Sequence, residues 1–416
     1  MLASRLSLAL ALALLGGCVQ PAPRRTAAHA PPAAVVVEKK DYDRELPPGA
    51  HALRRITDPA QLPDLAAAFR GDRAALRRAV DRSLAYLKKP SSRRFYPVSG
   101  IDHEQVVRGL TAFAALLDSD RGPDELAAEV RRRFAVYTTV GCDDRGTVLF
   151  TGYYTPIFEA SRRRTAEFRH PLHRLPPDHV KDPITGATLG RRRADGSVDP
   201  SYPDRAALLA SGALDGLELV WLRDAFEAYV AGVQGSAFLR LDDGTRLEVG
   251  YAGNNGHEYA SIGAALVRDG KLRKDQLNLR SMIAHFRAHP ADFDRYAAEN
   301  GRYVFFQPSS GGPYGCLNER VEAMASIATD KAIFPRGALC LVDADLPGEG
   351  GRGTERVRAF VLDQDAGGAI RAPGRCDVYM GVGEEAGARA GRTLSEGRLY
   401  YLVLDEPGTV PAAFGR

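Results

Sequence analysis

The chain has 416 residues, 44% of them hydrophobic and 26% charged, which is ordinary for a globular protein with room for one large or two medium cores. Its 56 Lys and Arg stand against 52 Asp and Glu, a net charge of +4 with no dominant basic tract. Nucleic acid is therefore excluded as an expected partner.

Arg5 is followed by an apolar run from Leu6 to Leu15, too short to span a bilayer and suited to the core of a signal peptide. It ends in Leu14-Leu-Gly-Gly-Cys18, small residues directly before a cysteine, which resembles a bacterial lipoprotein signal. That resemblance implies cleavage before Cys18, which becomes residue one and is acylated. Val19 stands where an inner-membrane retention signal carries Asp, so the expected address is the periplasmic side of the outer membrane. No later apolar run reaches the ~18 residues that a spanning helix needs. Residues 19–46, rich in Ala, Pro and Arg and without periodicity, read as a flexible linker.

Cys142, Cys316, Cys340 and Cys376 remain after Cys18. Export permits disulfides, but four cysteines admit three full pairings, and the sequence does not choose. None has CxxC spacing. His170, His173 and His179 lie in a loop-like stretch without a completing Cys or Glu, so no metal and no cofactor is expected. His285 and His289 share a helix face but lack the Glu of a metalloprotease helix, and read as surface histidines.

Three helical patterns follow the linker: Asp64 to Tyr86, Asp102 to Leu117, and Pro123 to Phe134, with Pro123 suited to a first turn. Thr147 to Pro156 then reads as strand, and its adjacent Tyr153 and Tyr154 must face opposite sides. From His170 to Arg205 the pattern is loop. Glu218 to Tyr229 leads into Gln234-Gly-Ser236, and Asp243-Gly244 is a hairpin turn between strands Phe238 to Leu241 and Arg246 to Val249. Gln234, Ser236, Tyr251, Asn254 and His257 gather neutral hydrogen-bonding groups and an aromatic around glycines, a chemistry suited to a sugar polymer. Helices around Leu277 to Ala288 and Pro290 to Glu299 precede a strand from Arg302 to Gln307.

The C-terminal third is organised around acids. Val357 to Leu362 is a buried strand that ends at Asp365. Gly367 and Gly368 allow a close backbone approach, and Asp377 opens a second strand. Asp330 lies upstream, before the strand Ala338 to Val342, and Leu399 to Leu404 is the closing strand.

Three Asp near strand edges resemble the signature of the MltA-type lytic murein transglycosylases. Gly152-Tyr-Tyr-Thr-Pro156 and the Gln234-Gly-Ser and Gly250-Tyr-Ala-Gly253 segments resemble that family as well. Ala237, where glycine is usual, and Arg223-Asp-Ala-Phe depart from it. The resemblance implies a mainly β (α+β) fold: a discontinuous double-psi β-barrel with N-terminal helices and an inserted, largely β second domain, a groove lying between them. The implied limits are 47–151 plus 307–416 for the helices and barrel, and 152–306 for the insert.

The resemblance also implies Asp377 as catalytic acid and base, with Asp365 and Asp330 as accompanying acids. Asp377 then needs a raised pKa, for which Asp365 is one source of repulsion unless it caps its loop instead. Tyr153, Tyr154, Gln234, Ser236, Tyr251, Asn254 and His257 are the expected substrate contacts. The implied partners are peptidoglycan glycan strands and, through the lipid, the membrane. The implied reaction cleaves the β-1,4 bond between MurNAc and GlcNAc to leave a 1,6-anhydro end. A glycoside hydrolase on the same barrel and a non-catalytic, expansin-like wall-binding protein are the alternatives.

Overall fold

The computed structural model describes residues 40–183, 185–348 and 353–405. The signal peptide with Cys18, and the linker as far as residue 39, lie outside the described residues. No described helix is long and apolar enough to cross a membrane.

After the short strand β1 (Leu53–Arg55), helices α1 (Leu65–Ala68), α2 (Arg73–Leu87), α3 (His103–Leu117) and α4 (Pro123–Arg133) form a layer. The expected single helix from Asp64 to Tyr86 is broken at Gly71. Asp72 there ends the extended segment and accepts from Ala75 N at 2.9 Å, capping a new helix whose N–H groups would otherwise lack partners. Asp102 forms a full capping box with Gln105, which fixes the start of α3. Phe134 ends α4 and opens β2 (Phe134–Thr139), and β3 (Val148–Thr155) carries the two tyrosines.

The middle of the chain holds β4 (Ile157–Ser161), β5 (His170–His173), β6 (His179–Lys181), β7 (Thr188–Arg192), β8 (Val198–Asp199), α5 (Arg205–Ala210), β9 (Glu218–Leu222), α6 (Ala225–Gln234), β10 (Ser236–Leu241) and β11 (Arg246–Asn254). It continues through α7 (Ile262–Arg268), α8 (Leu279–Ala288), α9 (Pro290–Glu299) and β12 (Val304–Ser309). Strands β12-β11-β10-β4-β9-β5 make one six-stranded sheet, and β6-β7-β8 a small three-stranded one. The stretch from His170 to Arg205 is thus not simply loop. Its strands are two to five residues long, and Pro171 interrupts any alternation that a pattern reading needs.

The last part supplies β13 (Ser326–Ala328), β14 (Leu339–Pro347), β15 (Thr354–Asp365), β16 (Arg375–Val382), α10 (Gly383–Ala390) and β17 (Leu394–Leu404). Strands β17-β14-β15-β13-β16-β3 run side by side, and β3 pairs back onto β17, closing a six-stranded barrel with β1 and β2 as an extension. Closure removes sheet edges and leaves an interior filled by side chains. Phe150, Cys340, Cys376, Leu399 and Tyr401 are all fully buried there. Phe69 and Phe113 of the helical layer meet Phe360 of β15 with ring centroids at 4.6 and 5.0 Å, so helices and barrel share one core. Each such buried ring contributes roughly 1.5–3 kcal/mol over an exposed one.

Candidate active site

The two acids at the C-terminal strands are not the arms of a hairpin. β13 lies between β15 and β16, and its Ala328 is in register with Asp365 on one side and with Asp377 on the other. In-register residues share a face, so both acids emerge on the same side of the sheet, with backbones about two strand spacings, ~10 Å, apart. The row continues across β16 and β3, where Asp377 pairs with Thr151. Cys376 and Val378, on either side of Asp377, point into the sealed interior, which turns Asp377 outward.

Asp377 is half-buried. Its Oδ1 accepts a hydrogen bond from Thr151 Oγ1, and its Oδ2 has no hydrogen-bond partner among the described residues. Burial raises its pKa above the ordinary carboxylate range, while the Thr151 hydroxyl and the Arg375 guanidinium pull the other way. The repulsion from Asp365 considered from sequence is not what lifts it. Asp365 is instead the cap of its loop: Oδ1 accepts from Cys316 N at 2.9 Å and Ala366 N at 2.8 Å, and Oδ2 accepts from Tyr153 Oη at 2.8 Å. Its pKa too is raised by burial, against those three hydrogen bonds and Lys331. Gly315 makes this approach possible, since a Cβ there would lie 2.5 Å from the Gln364 carbonyl oxygen and 3.2 Å from Asp365 Cγ. Asp330 sends both oxygens to backbone N–H groups, Ala332 and Ala372, each at 3.0 Å, and so ties its turn to the loop between the other acids.

The other expected site residues fall into three groups. Tyr153 is half-buried, with its ring 5.1 Å from that of Tyr379 and its hydroxyl on Asp365. Tyr154 points the other way into the core against Gly387, as the alternation on a strand requires. Gln234 and Ser236 stitch the second sheet to the barrel. Gln234 Oε1 accepts from Tyr154 N at 3.0 Å, and Ser236 Oγ lies 3.4 Å from Thr155 Oγ1, itself 3.0 Å from Tyr379 Oη.

Tyr251, Asn254 and His257 form the third group, on the segment that faces the loop after Asp365. Asn254 Nδ2 donates to Tyr251 Oη at 2.5 Å, and its Oδ1 accepts from Gly256 N at 2.7 Å. Tyr251 is 44% exposed, whereas the His257 ring is 2.6 Å from the Tyr202 carbonyl oxygen, so its Nε2 is engaged. The 366–371 loop reaches this segment: Arg371 pairs with Glu258 at 3.6 Å, and Arg302, which donates to the His257 carbonyl at 3.0 Å, packs against Gly368.

Thr151, Tyr379, Arg302 and the Cys316 N–H were not singled out from the sequence. Each owes its place to a strand register or a loop contact across at least 45 residues of chain. Of the histidines at 170–179, two are placed by hydrogen bonds: His173 Nδ1 lies 2.6 Å from Tyr303 Oη and His179 Nε2 2.7 Å from the Asn254 carbonyl oxygen. His285 is not a surface histidine, because its side chain is only 7% exposed and faces Asp292 at 3.3 Å. Cys142, Cys316, Cys340 and Cys376 are unpaired thiols.

Comparison with known proteins places this arrangement. Residues 149–307 match the MltA specific insert domain, and residues 325–403 match the 3D domain. Membrane-bound lytic murein transglycosylase A of Escherichia coli K12 is 33% identical over 267 residues, covering 63% of this chain and 67% of that protein. The chain belongs to the MltA family of lytic murein transglycosylases. The MltA enzyme of Vibrio cholerae is 31% identical over 276 residues, covering 65% of this chain and 69% of its own length. Among solved structures, E. coli MltA with bound chitohexaose superposes with a TM-score of 0.63 at 25% identity, covering 89% of this chain and 97% of that one. A membrane-bound lytic murein transglycosylase from Agrobacterium tumefaciens shares the fold, with a TM-score of 0.70 at 24% identity over 85% of this chain and 98% of its own. The closed barrel seen here is the double-psi barrel of MltA, and the second sheet is its insert.

One consequence of the MltA geometry concerns Thr151. Its hydroxyl favours the ionised form of Asp377, so Thr151→Val should raise the pKa of Asp377. If that group acts as an acid, the alkaline limb of the pH–rate profile moves to higher pH. Thr151→Ser should keep the wild-type profile, and an unchanged limb in Thr151→Val would remove Thr151 from this role. A second consequence concerns Gly315. Gly315→Ala should cost about 1–3 kcal/mol by forcing the Gln364 backbone away, and should lower turnover by displacing Asp365; unfolding and rate measurements on one preparation check both.

Proposed function

We propose that the chain is a lytic transglycosylase that cleaves the β-1,4 bond between MurNAc and GlcNAc of peptidoglycan, with Asp377 as the single acid and base. The observation that carries this reading is the state of the two outward-facing carboxyls. Asp377 is desolvated, has a raised pKa and keeps Oδ2 without a partner, while both oxygens of Asp365 already accept hydrogen bonds.

Protonated Asp377 gives its proton to the bridging oxygen as the C1–O bond breaks, leaving an oxocarbenium-like C1 on the MurNAc side. The carboxylate so formed then takes the proton of that sugar's own C6 hydroxyl while O6 attacks C1. The net change is one bond broken, one formed and no water consumed. The internal nucleophile profits from a high effective concentration, which a free water lacks.

In this reading Asp365 orients Tyr153 and the Cys316 loop, and Asp330 holds the loop between the acids. Tyr153, Ser236, Tyr251, Asn254 and the segment around His257 form the walls that a glycan meets. Tyr154 and Gln234 hold the barrel and the insert in position. We place the boundaries of the helical and barrel part at 47–151 plus 307–416 and those of the insert at 152–306. Lipidation at Cys18 would account for membrane association, on the periplasmic side of the outer membrane. Neutral hydrogen-bonding groups beside the acids support a sugar ligand.

The test is digestion of purified sacculi by the full chain. The reading requires soluble muropeptides whose ends are 1,6-anhydro-MurNAc. Products heavier by one water would favour the hydrolase, and binding without release would favour the wall-binding protein.

A further inference from the structure

A second site is built on the far part of the insert sheet. A cavity of about 300 Å³ lies where the 162–169 connection, the β5–β9 strand pair and the 211–217 connection meet. It is lined by Arg164, Arg169, Asp215, Glu218, Trp221 and Leu209 among others. None of the residues that join the insert to the acids (Gln234, Ser236, Glu258, Arg302) belongs to this lining.

The charges in the lining are unspent. Many guanidinium groups on this protein are paired, as Arg223 is with Glu167 at 3.1 Å and Arg191 with Asp178 at 2.8 Å. Among the described residues, Arg164, Arg169, Asp215 and Glu218 form no ion pair, with each other or with anything else. The backbone holds cations and anions around one hollow without letting them meet. Arg164 lies over the Trp221 ring at 5.9 Å, the indole being half-exposed on β9 between Ser161 and Pro171. Beside the charges Leu209 is 53% exposed. His173, buried behind Glu218, is held neutral by burial, its pKa lowered to about 4, so it adds no charge at neutral pH.

Two cations and two anions held apart favour a ligand that carries both signs, since either sign alone would be repelled by half of the lining. The volume suits a group of a few residues, and the indole and Leu209 give it an apolar floor. A neutral glycan strand offers no charges to such a lining. A short peptide with free carboxylates and a free amine does.

We propose that this cavity binds the peptide stems of peptidoglycan, holding the enzyme to the sacculus at a point separate from the bond being cut. The identity of the occupant rests on the proposed function; the existence of a zwitterion site does not. Since the lining shares no residue with the acid site, the bound stem belongs to the network around the cut strand.

The chain contains a single Trp, and it lies in this cavity. Indole emission, excited where tyrosine does not absorb, therefore reports this site alone. Titrating the full chain with the tetrapeptide L-Ala-D-Glu-diaminopimelate-D-Ala should change that emission saturably. Arg164→Glu/Arg169→Glu should weaken the apparent affinity by about tenfold or more, as loss of charge-assisted contacts does, and Glu218→Gln should weaken it less. Chitin oligosaccharides should leave the emission unchanged. No change with the peptide, or an equal change with the neutral oligosaccharide, overturns the proposal. Failure of the proposed function has a different readout, because it is the absence of glycan release from sacculi, whatever the indole does.

Discussion

Asp377→Asn should lower glycan release from sacculi by about 10²–10⁴-fold, the usual contribution of a positioned general acid. Asn keeps the shape of the side chain and can still accept from Thr151 through its carbonyl oxygen, so the row Asp365–Ala328–Asp377–Thr151 across the barrel should stay intact. Circular dichroism and thermal unfolding are expected to match the wild type, with burial now favouring the variant, because a neutral amide replaces a group that has to ionise in a desolvated place. The loss should reside in turnover, since the variant can still bind a glycan. Activity near the wild-type level in the folded variant would remove Asp377 from the mechanism.

A second large effect is expected in stability. Asp363, one residue before Gln364 on β15, is fully buried inside the barrel, where it pairs with Lys331 and accepts from Thr329 Oγ1 at 2.8 Å and Tyr401 Oη at 2.8 Å. The Lys331 side chain is itself only 5% exposed. Removing Asp363 leaves the ammonium in the interior without its counter-charge, held only by Thr329 Oγ1 at 2.9 Å and the Thr329 carbonyl, and takes from the Thr329 and Tyr401 hydroxyls the carboxylate they donate to. Asp363→Ala should therefore cost about 3–5 kcal/mol in urea unfolding. Lys331→Met/Asp363→Leu, which removes both charges, should cost less than the single change. Equal stability of Asp363→Ala and wild type would show that the pair adds nothing to the fold.

This buried acid illustrates where sequence reading stops. In Val361-Leu-Asp-Gln-Asp365 the apolar run ends in two Asp, and a strand that delivers acids to its outer end describes both equally well. A β-bulge separates them: regular alternation would put residues two apart on one face, but the register slips between Ile327 and Ala328, so Asp365 faces the outside with Asp377, whereas Asp363 is drawn inside, where Lys331 and Tyr401 await it. The partners are 32 and 38 residues away, beyond any local pattern.

The strands of the barrel and the Asp243-Gly244 hairpin were legible because β-branched and aromatic runs bounded by Gly and Asp are strong local signals. β10 and β11 do pair antiparallel around that turn. The small sheet at 179–199 was not legible, since its strands are too short to show a period. The interposition of β13 between the acid-bearing strands was hidden for another reason. Ser326–Ala328 is a three-residue element, and its parallel pairing with β15 is fixed by barrel closure rather than by its own composition. The roles of Thr151 and Tyr153 follow from registers between β3 and the C-terminal strands, which no single segment encodes.

In the proposed mechanism Asp377 works without a companion base that activates water. Digesting sacculi with the full chain in water enriched in ¹⁸O tests it most directly, by mass spectrometry of the new glycan ends. The prediction is that the ends form as 1,6-anhydro sugars carrying no ¹⁸O, because the attacking oxygen is the sugar's own. Ends that are one water heavier and labelled at C1 would contradict it, and would make Asp365 or another carboxyl the base of a hydrolase.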